Sequence, residues 1–429
     1  MVVVLIVVLF GLLALGLPVA VALTALALTL DHFYSFFPLL PALGEMLWGG
    51  STNFALIAVP LFILTGELLL GSGIAHDMYD AIDRWVRRVP GGLLHTNIAS
   101  SALFSATSGS SVASAATIGT VAIPQMKAGG YHPPLFLGSI AAGGTLGILI
   151  PPSINMIIYG VLAEVSIGRL YLAGLIPGLL LAALFSLMVL VLCALRPGLG
   201  GNREIPTSWR ERIAGLPALL PPLMLFILMV GSIYLGIATP TEAAGLGFLG
   251  AVILTAMRRR LTVALLMHAF ERTMKTTCMV MLIVIAALLV NFVMVSIGLS
   301  GQIRDFVGSL ALQPIVVMLI LIATYLVLGC FMETLSLMIA TTPIVVPIIV
   351  ALGYDPLWFG VLFMVLIEAA LITPPIGVNL FVVQSVRSEG PFRDVTIGSL
   401  PFLLMMLCLI GLLLAFPELA SWLPAAVRG

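Results

Sequence analysis

Seven apolar segments of membrane-spanning length run through this chain, near 2–28, 53–70, 170–195, 217–237, 240–257, 276–297 and 397–416. A helix of roughly 20 apolar residues crosses the hydrocarbon core of a bilayer, and only lipid is a suitable solvent for so many of them. Two longer regions, 91–165 and 311–386, are equally apolar but are interrupted by Gly, Pro, Ser and Thr. Of the 429 residues, 61% are hydrophobic and 8% are charged, against about 25% charged in ordinary soluble domains. The pattern predicts an all-α polytopic membrane protein embedded in a lipid bilayer. Segment 2–30 is expected to be a retained first span rather than a cleaved leader, because no Lys or Arg precedes Arg84.

The charges balance at 18 against 18, which gives no reason to expect a nucleic-acid partner. Their placement sets the topology. With 91–127 entering and leaving on one side, all basic residues except Arg169, Arg304 and Arg428 fall on one face, from Arg84 through the Arg258–Arg260 triplet to Arg393. The positive-inside rule makes that face cytoplasmic, so the N-terminus is expected in the cytoplasm and the C-terminus in the periplasm of a bacterial inner membrane. Segment 197–216 reads as a polar cytoplasmic linker, and 31–50 and 258–275 as interfacial amphipathic helices. Glu67 and Glu164 are expected at span ends facing water, and no arginine is expected at membrane depth. The scattered cysteines Cys193, Cys278, Cys330 and Cys408 form no CxxC, and no HExxH is present, so no metal centre is expected.

The interruptions repeat. At an offset of 223 residues, Pro124 aligns with Pro347, Gly130-Tyr131 with Gly353-Tyr354, Pro133 with Pro356, Phe136 with Phe359, and Pro151-Pro152 with Pro374-Pro375. The chain therefore divides into a first repeat, 1–196, and a second, 217–429. Each holds a helical hairpin (91–127 and 311–351) followed by a helix broken at Pro-Pro (132–165 and 356–386). The charge pattern brings the first hairpin in from the cytoplasm and the second from outside. Inverted repeats with re-entrant hairpins and discontinuous helices are the architecture of secondary transporters, whose sites lie near the midplane.

The site residues follow from these interruptions. Ser108, Gly109, Ser110 and Ser111 stand at the first tip. One half-helix there ends in carbonyls that suit a cation, and the next begins with N–H groups that suit an anion. Tight packing of small residues is the competing explanation. At the equivalent tip, Gly329 precedes Glu333, which aligns with Ser110. A carboxylate at that depth is either functional or a structural acid bonded to the following amides. Each proline pair withholds N–H donors, freeing carbonyls around Thr145, Gly147 and Pro151, and around Thr373, Pro374 and Gly377. Carbonyls plus threonine hydroxyls suit Na⁺, a hard cation; a mere kink is the alternative. Asn155 and Asn379 follow the breaks and could bind substrate or brace the loop. Glu368 could face the site. An anionic substrate would be held by helix ends and hydroxyls.

Together, Gly16-Leu-Pro18-Val-Ala, Ser108-Gly-Ser-Ser, Ile150-Pro-Pro-Ser153, Gly236-Ile-Ala-Thr-Pro-Thr-Glu-Ala-Ala244 and Thr373-Pro-Pro-Ile-Gly377 resemble the large membrane subunit of the tripartite ATP-independent periplasmic (TRAP) transporters over the whole chain. The resemblance implies an elevator-type ion-transporter fold. It also implies Na⁺ as coupling ion with no other cofactor, a small membrane subunit, a periplasmic substrate-binding protein, and import of a small organic acid. No fused small subunit is expected, since the chain opens with the large-subunit pattern. Ala369-Ala370 stand where relatives commonly have glycine, which could alter packing near the second ion site. A stand-alone Na⁺/carboxylate symporter of the divalent-anion type is the competing reading. A membrane-embedded enzyme lacks its paired aspartates or metal set, and two blind hairpins suit a channel badly.

Overall fold

The computed structural model describes the chain apart from residues 1, 36–37, 202–207, 299–300, 303–311, 388 and 428–429. Arg203, Arg304, Arg428 and the middle of the 197–216 linker therefore lie outside the described residues. Everything regular among those described is helical.

The first half runs α1 (Val2–Ala14), α2 (Val19–Tyr34), α3 (Leu39–Ser51), α4 (Ala58–Ser72), α5 (Ile74–Val86), α6 (Leu93–Ser108), α7 (Ser111–Ala128), α8 (Pro133–Leu149), α9 (Ile154–Leu162) and α10 (Ile167–Leu195). The second runs α11 (Trp209–Ala218), α12 (Leu220–Tyr234), α13 (Pro240–Met257), α14 (Val263–Ser296), α15 (Pro314–Gly329), α16 (Thr334–Ala351), α17 (Pro356–Leu371), α18 (Val378–Arg387), α19 (Phe392–Ala415) and α20 (Glu418–Ala426). Both hairpins and both broken helices are present as helix pairs, and the break between α8 and α9 bends the chain by 41°.

Two expectations are corrected. The first span is two helices, because Gly16 takes a left-handed φ of 75° and Pro18 follows. Segment 258–275 is no separate interfacial helix. After the turn at Arg258–Arg260 the chain enters α14, a single 34-residue helix that holds neither Gly nor Pro to stop it. At about 1.5 Å per residue it reaches about 50 Å, well beyond the bilayer's roughly 30 Å of hydrocarbon. The span at 217–237 starts after a bend of 47° between α11 and α12, where Pro217, Pro221 and Pro222 deny the backbone its donors.

The duplication reaches into local geometry. Gly130 and Gly353, 223 residues apart, both adopt left-handed backbone (φ 64° and 84°) after the second helix of their hairpins. Both proline pairs contain a cis bond. The equivalent helices α8 and α17 pack on each other at the centre of the molecule, and from Leu135 to Leu149 and Leu357 to Leu371 every residue is buried. A helix apolar on all sides belongs where other helices surround it. Around this core pack α6, α7, α10, α18 and α19, while α2, α3, α4 and α13 gather with α14 in a second group. The two groups meet where α4 touches α6 and α14 touches α16. Apolar side chains cover the outer faces of both groups, Leu195, Ile253, Leu282 and Val327 among them.

Candidate transport site between the hairpin tips

The first tip is a seam of small side chains. Helix α6 ends at Ser108, Gly109 turns at φ 63°, and the hydroxyl of Ser110 accepts the Ala113 amide to start α7. Ser114 organises the turn: its hydroxyl accepts from Ser105 (2.8 Å) and donates to the Ser110 carbonyl (2.8 Å). Helix α8 lies along both legs of the hairpin. Gly143 faces Ser101, Gly144 faces Ala115, and Gly147 faces Ser105 and the Ser110 main chain. Small-residue packing is thus part of why these residue types occur, as in other close helix contacts.

The second tip uses different chemistry at the same position. Glu333, aligned with Ser110, caps α16, its two carboxylate oxygens accepting the amides of Leu335 (3.0 Å) and Ser336 (2.8 Å). The structural alternative for this acid is therefore what the geometry provides. A carboxylate at a helix N-terminus satisfies unbonded amides and meets the positive end of the dipole.

Both tips open onto one cavity of about 410 Å³. From the first come Ser108, Gly109, Ser110 and Ser111; from the second, Glu333, Thr334 and Leu335; from α9, Asn155. The opposite wall comes from the other helix group: Ile63, Gly66, Glu67 and Leu70 of α4, and Arg272, Thr276, Met279 and Val280 of α14. One expectation is corrected here: Glu67, expected to face water at a span end, lines the cavity, and Arg272 lines it too. The two form a loose ion pair at 3.9 Å, the Glu67 side chain only 18% exposed and that of Arg272 58%. Sequence reasoning missed Arg272 because its basic neighbours suggested an interfacial helix. The signal was the uninterrupted helix itself, which puts residues 272, 276, 279 and 280 on one face at helical spacing.

The other candidates stand apart from the cavity. Thr145, Gly147, Pro151, Gly329, Thr373, Pro374, Gly377 and Asn379 line none of it. Thr145 donates to the Ala142 carbonyl and Thr373 to that of Ala369, so both hydroxyls close onto their own helices. The Thr145 carbonyl faces the Ser111 hydroxyl at 3.4 Å. Gly329 packs against Ala370 without room for a side chain, the one visible consequence of alanine at that position. The Ile376 amide donates to the Cys330 carbonyl (3.3 Å), seating the second tip on the second break. Asn379, from the second half, donates to the Ala141 carbonyl of α8 in the first (3.1 Å). Glu368 is wholly buried and does not reach the cavity; Glu164 is exposed, as expected.

The two asparagines that follow the breaks each keep an unbonded polar atom. The Asn155 amide nitrogen, at the cavity, has no acceptor among the described residues, and the Asn379 side-chain oxygen has no donor. Buried polar groups rarely stay unbonded. The first is a donor suited to an anion, the second an acceptor suited to a cation. Among the described residues no group of three or more His, Cys, Asp or Glu could hold a metal ion.

Residues 6–419 match the family model described as "Tripartite ATP-independent periplasmic transporter, DctM component". The chain is 35% identical to the sialic acid TRAP transporter large permease protein SiaM of Vibrio cholerae, over 98% of this chain and 97% of that one. It is 32% identical to the C4-dicarboxylate TRAP transporter large permease protein DctM of Pseudomonas aeruginosa, over 89% of each. With the 2,3-diketo-L-gulonate large permease protein YiaN of Escherichia coli the identity is 30%, over 96% of each. In fold, it is similar to the YdaH transporter of Alcanivorax borkumensis, with TM-score 0.68 at 16% identity over 95% of this chain and 97% of that one. The relatives are permeases and not enzymes, and this chain, too, is a membrane-spanning transport protein that belongs to the DctM family, the large permease component of the TRAP transporters.

Proposed function

We propose that this chain imports a small carboxylate across the bacterial inner membrane by Na⁺-coupled, elevator-type alternating access, taking substrate from a periplasmic binding protein and working with a small membrane subunit. The observation that carries the reading is the composition of the cavity wall: both hairpin tips, one from each repeat, and Arg272 from α14. An arginine fork matches a carboxylate, and the Asn155 amide and Ser110 hydroxyl add donors around it. Glu67 occupies Arg272 loosely, as a partner that a substrate carboxylate can replace. Sodium is assigned to carbonyls opened by the proline pairs, and the Asn379 oxygen joins those acceptors. In the elevator, α4 and α14 belong to the stationary scaffold, and the hairpins travel with α8 and α17. The two repeats are placed in opposite orientation, with the N-terminus in the cytoplasm and the C-terminus in the periplasm. The substrates in the relatives' names, sialic acid, C4-dicarboxylates and 2,3-diketo-L-gulonate, define the class to be tried.

The test is uptake into proteoliposomes holding the chain and its small subunit, with labelled acids of these three kinds, with and without an inward Na⁺ gradient and the binding protein. The reading requires uptake that needs both. Uptake undiminished without the binding protein marks a stand-alone symporter, and uptake indifferent to Na⁺ removes sodium coupling.

A further inference from the structure

Glu368 has no part in the account above. It lies on α17 with none of its surface exposed, and neither carboxylate oxygen has a hydrogen-bond partner among the described residues. An ionised carboxylate stripped of water and given no partner is among the costliest groups a protein can hold. The main chain that bears on it is that of Leu149, the last residue of α8; it makes no full hydrogen bond to replace the lost water.

Carbonyl oxygens are in surplus at the end of α8. The carbonyls of Gly147 and Ile148 would bond to the amides of residues 151 and 152 in a continued helix, and both of those are proline. A neutral carboxylic acid has no charge to be solvated and carries an O–H donor. No charge on the packed helices replaces the proton. Helices α8 and α16 contain no titratable side chain. The phenols of Tyr325 on α15, Tyr159 on α9 and Tyr171 on α10 donate to Thr341, to the Pro356 carbonyl and to the Ser153 carbonyl. Arg387 of α18 is paired with Asp394 of α19. The remaining charged groups, Arg169, Arg393 and Glu418, stand in the first turns of α10, α19 and α20; α10 and α19 also carry the cysteines Cys193 and Cys408.

The position matters as well as the chemistry. Ile148 and Leu371 line the cavity. The first is the neighbour of Leu149, and the second lies one helical turn beyond Glu368 on α17. Glu368 thus lies one helical turn along α17 from the cavity wall, on the helix that meets α8 at its break. We propose that Glu368 is a proton-binding site of the moving unit, which holds one proton as –COOH in the state described here and exchanges it with water when the Ile148–Leu371 wall parts.

Infrared spectroscopy of the purified full chain at neutral pH tests this without a substrate. The wild type should show the carbonyl stretch of a protonated carboxylic acid, absent from Glu368→Gln, and the band should shift in heavy water while the protein stays folded. Where Glu368→Gln does not fold, Glu368→Asp moves the band, and wild type grown on carboxyl-¹³C glutamate shows that the band belongs to a glutamate. A wild-type spectrum lacking the band overturns the proposal, as does an identical band in Glu368→Gln. A band that never responds to heavy water overturns it too, since such an acid is sealed and exchanges nothing.

Discussion

A Cβ built on Gly109 would lie 2.9 Å from the main-chain oxygen of Pro152. The first hairpin tip therefore rests directly on the break between α8 and α9, and the Ile376–Cys330 hydrogen bond makes the corresponding seat in the second half. Each tip is registered to the opened backbone of its own repeat, which ties the cavity to both breaks.

Gly109→Ala should disturb this seat twice, through the left-handed φ of 63° and through the Pro152 oxygen. The backbone term alone is about 1–2 kcal/mol. Gly353→Ala is the control: φ is 84° there and nothing lies within 4 Å of the new methyl. Thermal unfolding in detergent should show the larger loss for Gly109→Ala; equal losses would remove the seat from the account.

Arg272→Gln should raise the KM for uptake with little change in kcat. A hydrogen bond to a charged group contributes about 1.5–3 kcal/mol, or roughly 10- to 100-fold in affinity. Arg272→Lys keeps the charge without the fork and should fall between. An unaltered KM in both variants would take the guanidinium out of substrate recognition.

Helices α8 and α19 cross with backbones in contact, Gly138 against the Gly398 carbonyl and Gly398 against that of Pro134. A methyl at either position must push the helices apart, and overpacking of this sort costs about 1–3 kcal/mol. Gly138→Ala and Gly398→Ala should each lower the unfolding temperature by comparable amounts, and the double variant by less than their sum, because one separation relieves both. Full additivity would mean the crossing is not shared.

At the end of α7, the Lys127 ammonium 3.0 Å from Glu389 holds that carboxyl below its ordinary value. A carboxyl lowered by folding stabilises at neutral pH, and the contribution disappears as pH falls through its folded value. Both side chains are exposed, so the effect is small. Glu389→Gln should lower the unfolding temperature slightly at neutral pH and not at all well below the carboxylate range; a loss that persists in acid would point to packing instead.

The breaks and tips were legible in the sequence because Gly, Pro and Ser at mid-span have few other uses in an apolar chain. Pro151-Pro152 and Pro374-Pro375 end helices wherever they stand, and a repeated register exposes a repeated structure. The far wall of the cavity was not legible. Glu67 and Arg272 come from helices outside the hairpins and broken helices, and only their packing shows that the two stripes face the tips. Glu333 was open between two roles because a capping acid and an ion ligand have the same sequence signature; the amides of Leu335 and Ser336 show the capping contact. The predicted residues nearest the breaks, Thr145 and Thr373, bond within their own helices, a local choice available to any helical threonine.

The central claim is that Ser110 and Leu335, on opposed tips, share one cavity open to one compartment at a time. In a chain with its four cysteines replaced by alanine, Ser110→Cys and Leu335→Cys can each be reacted with an impermeant maleimide applied from either face of oriented vesicles. Both positions should label from the same face under any one condition, and switch together when the gradient is reversed. Simultaneous labelling of Ser110→Cys from one face and Leu335→Cys from the other would contradict the shared site.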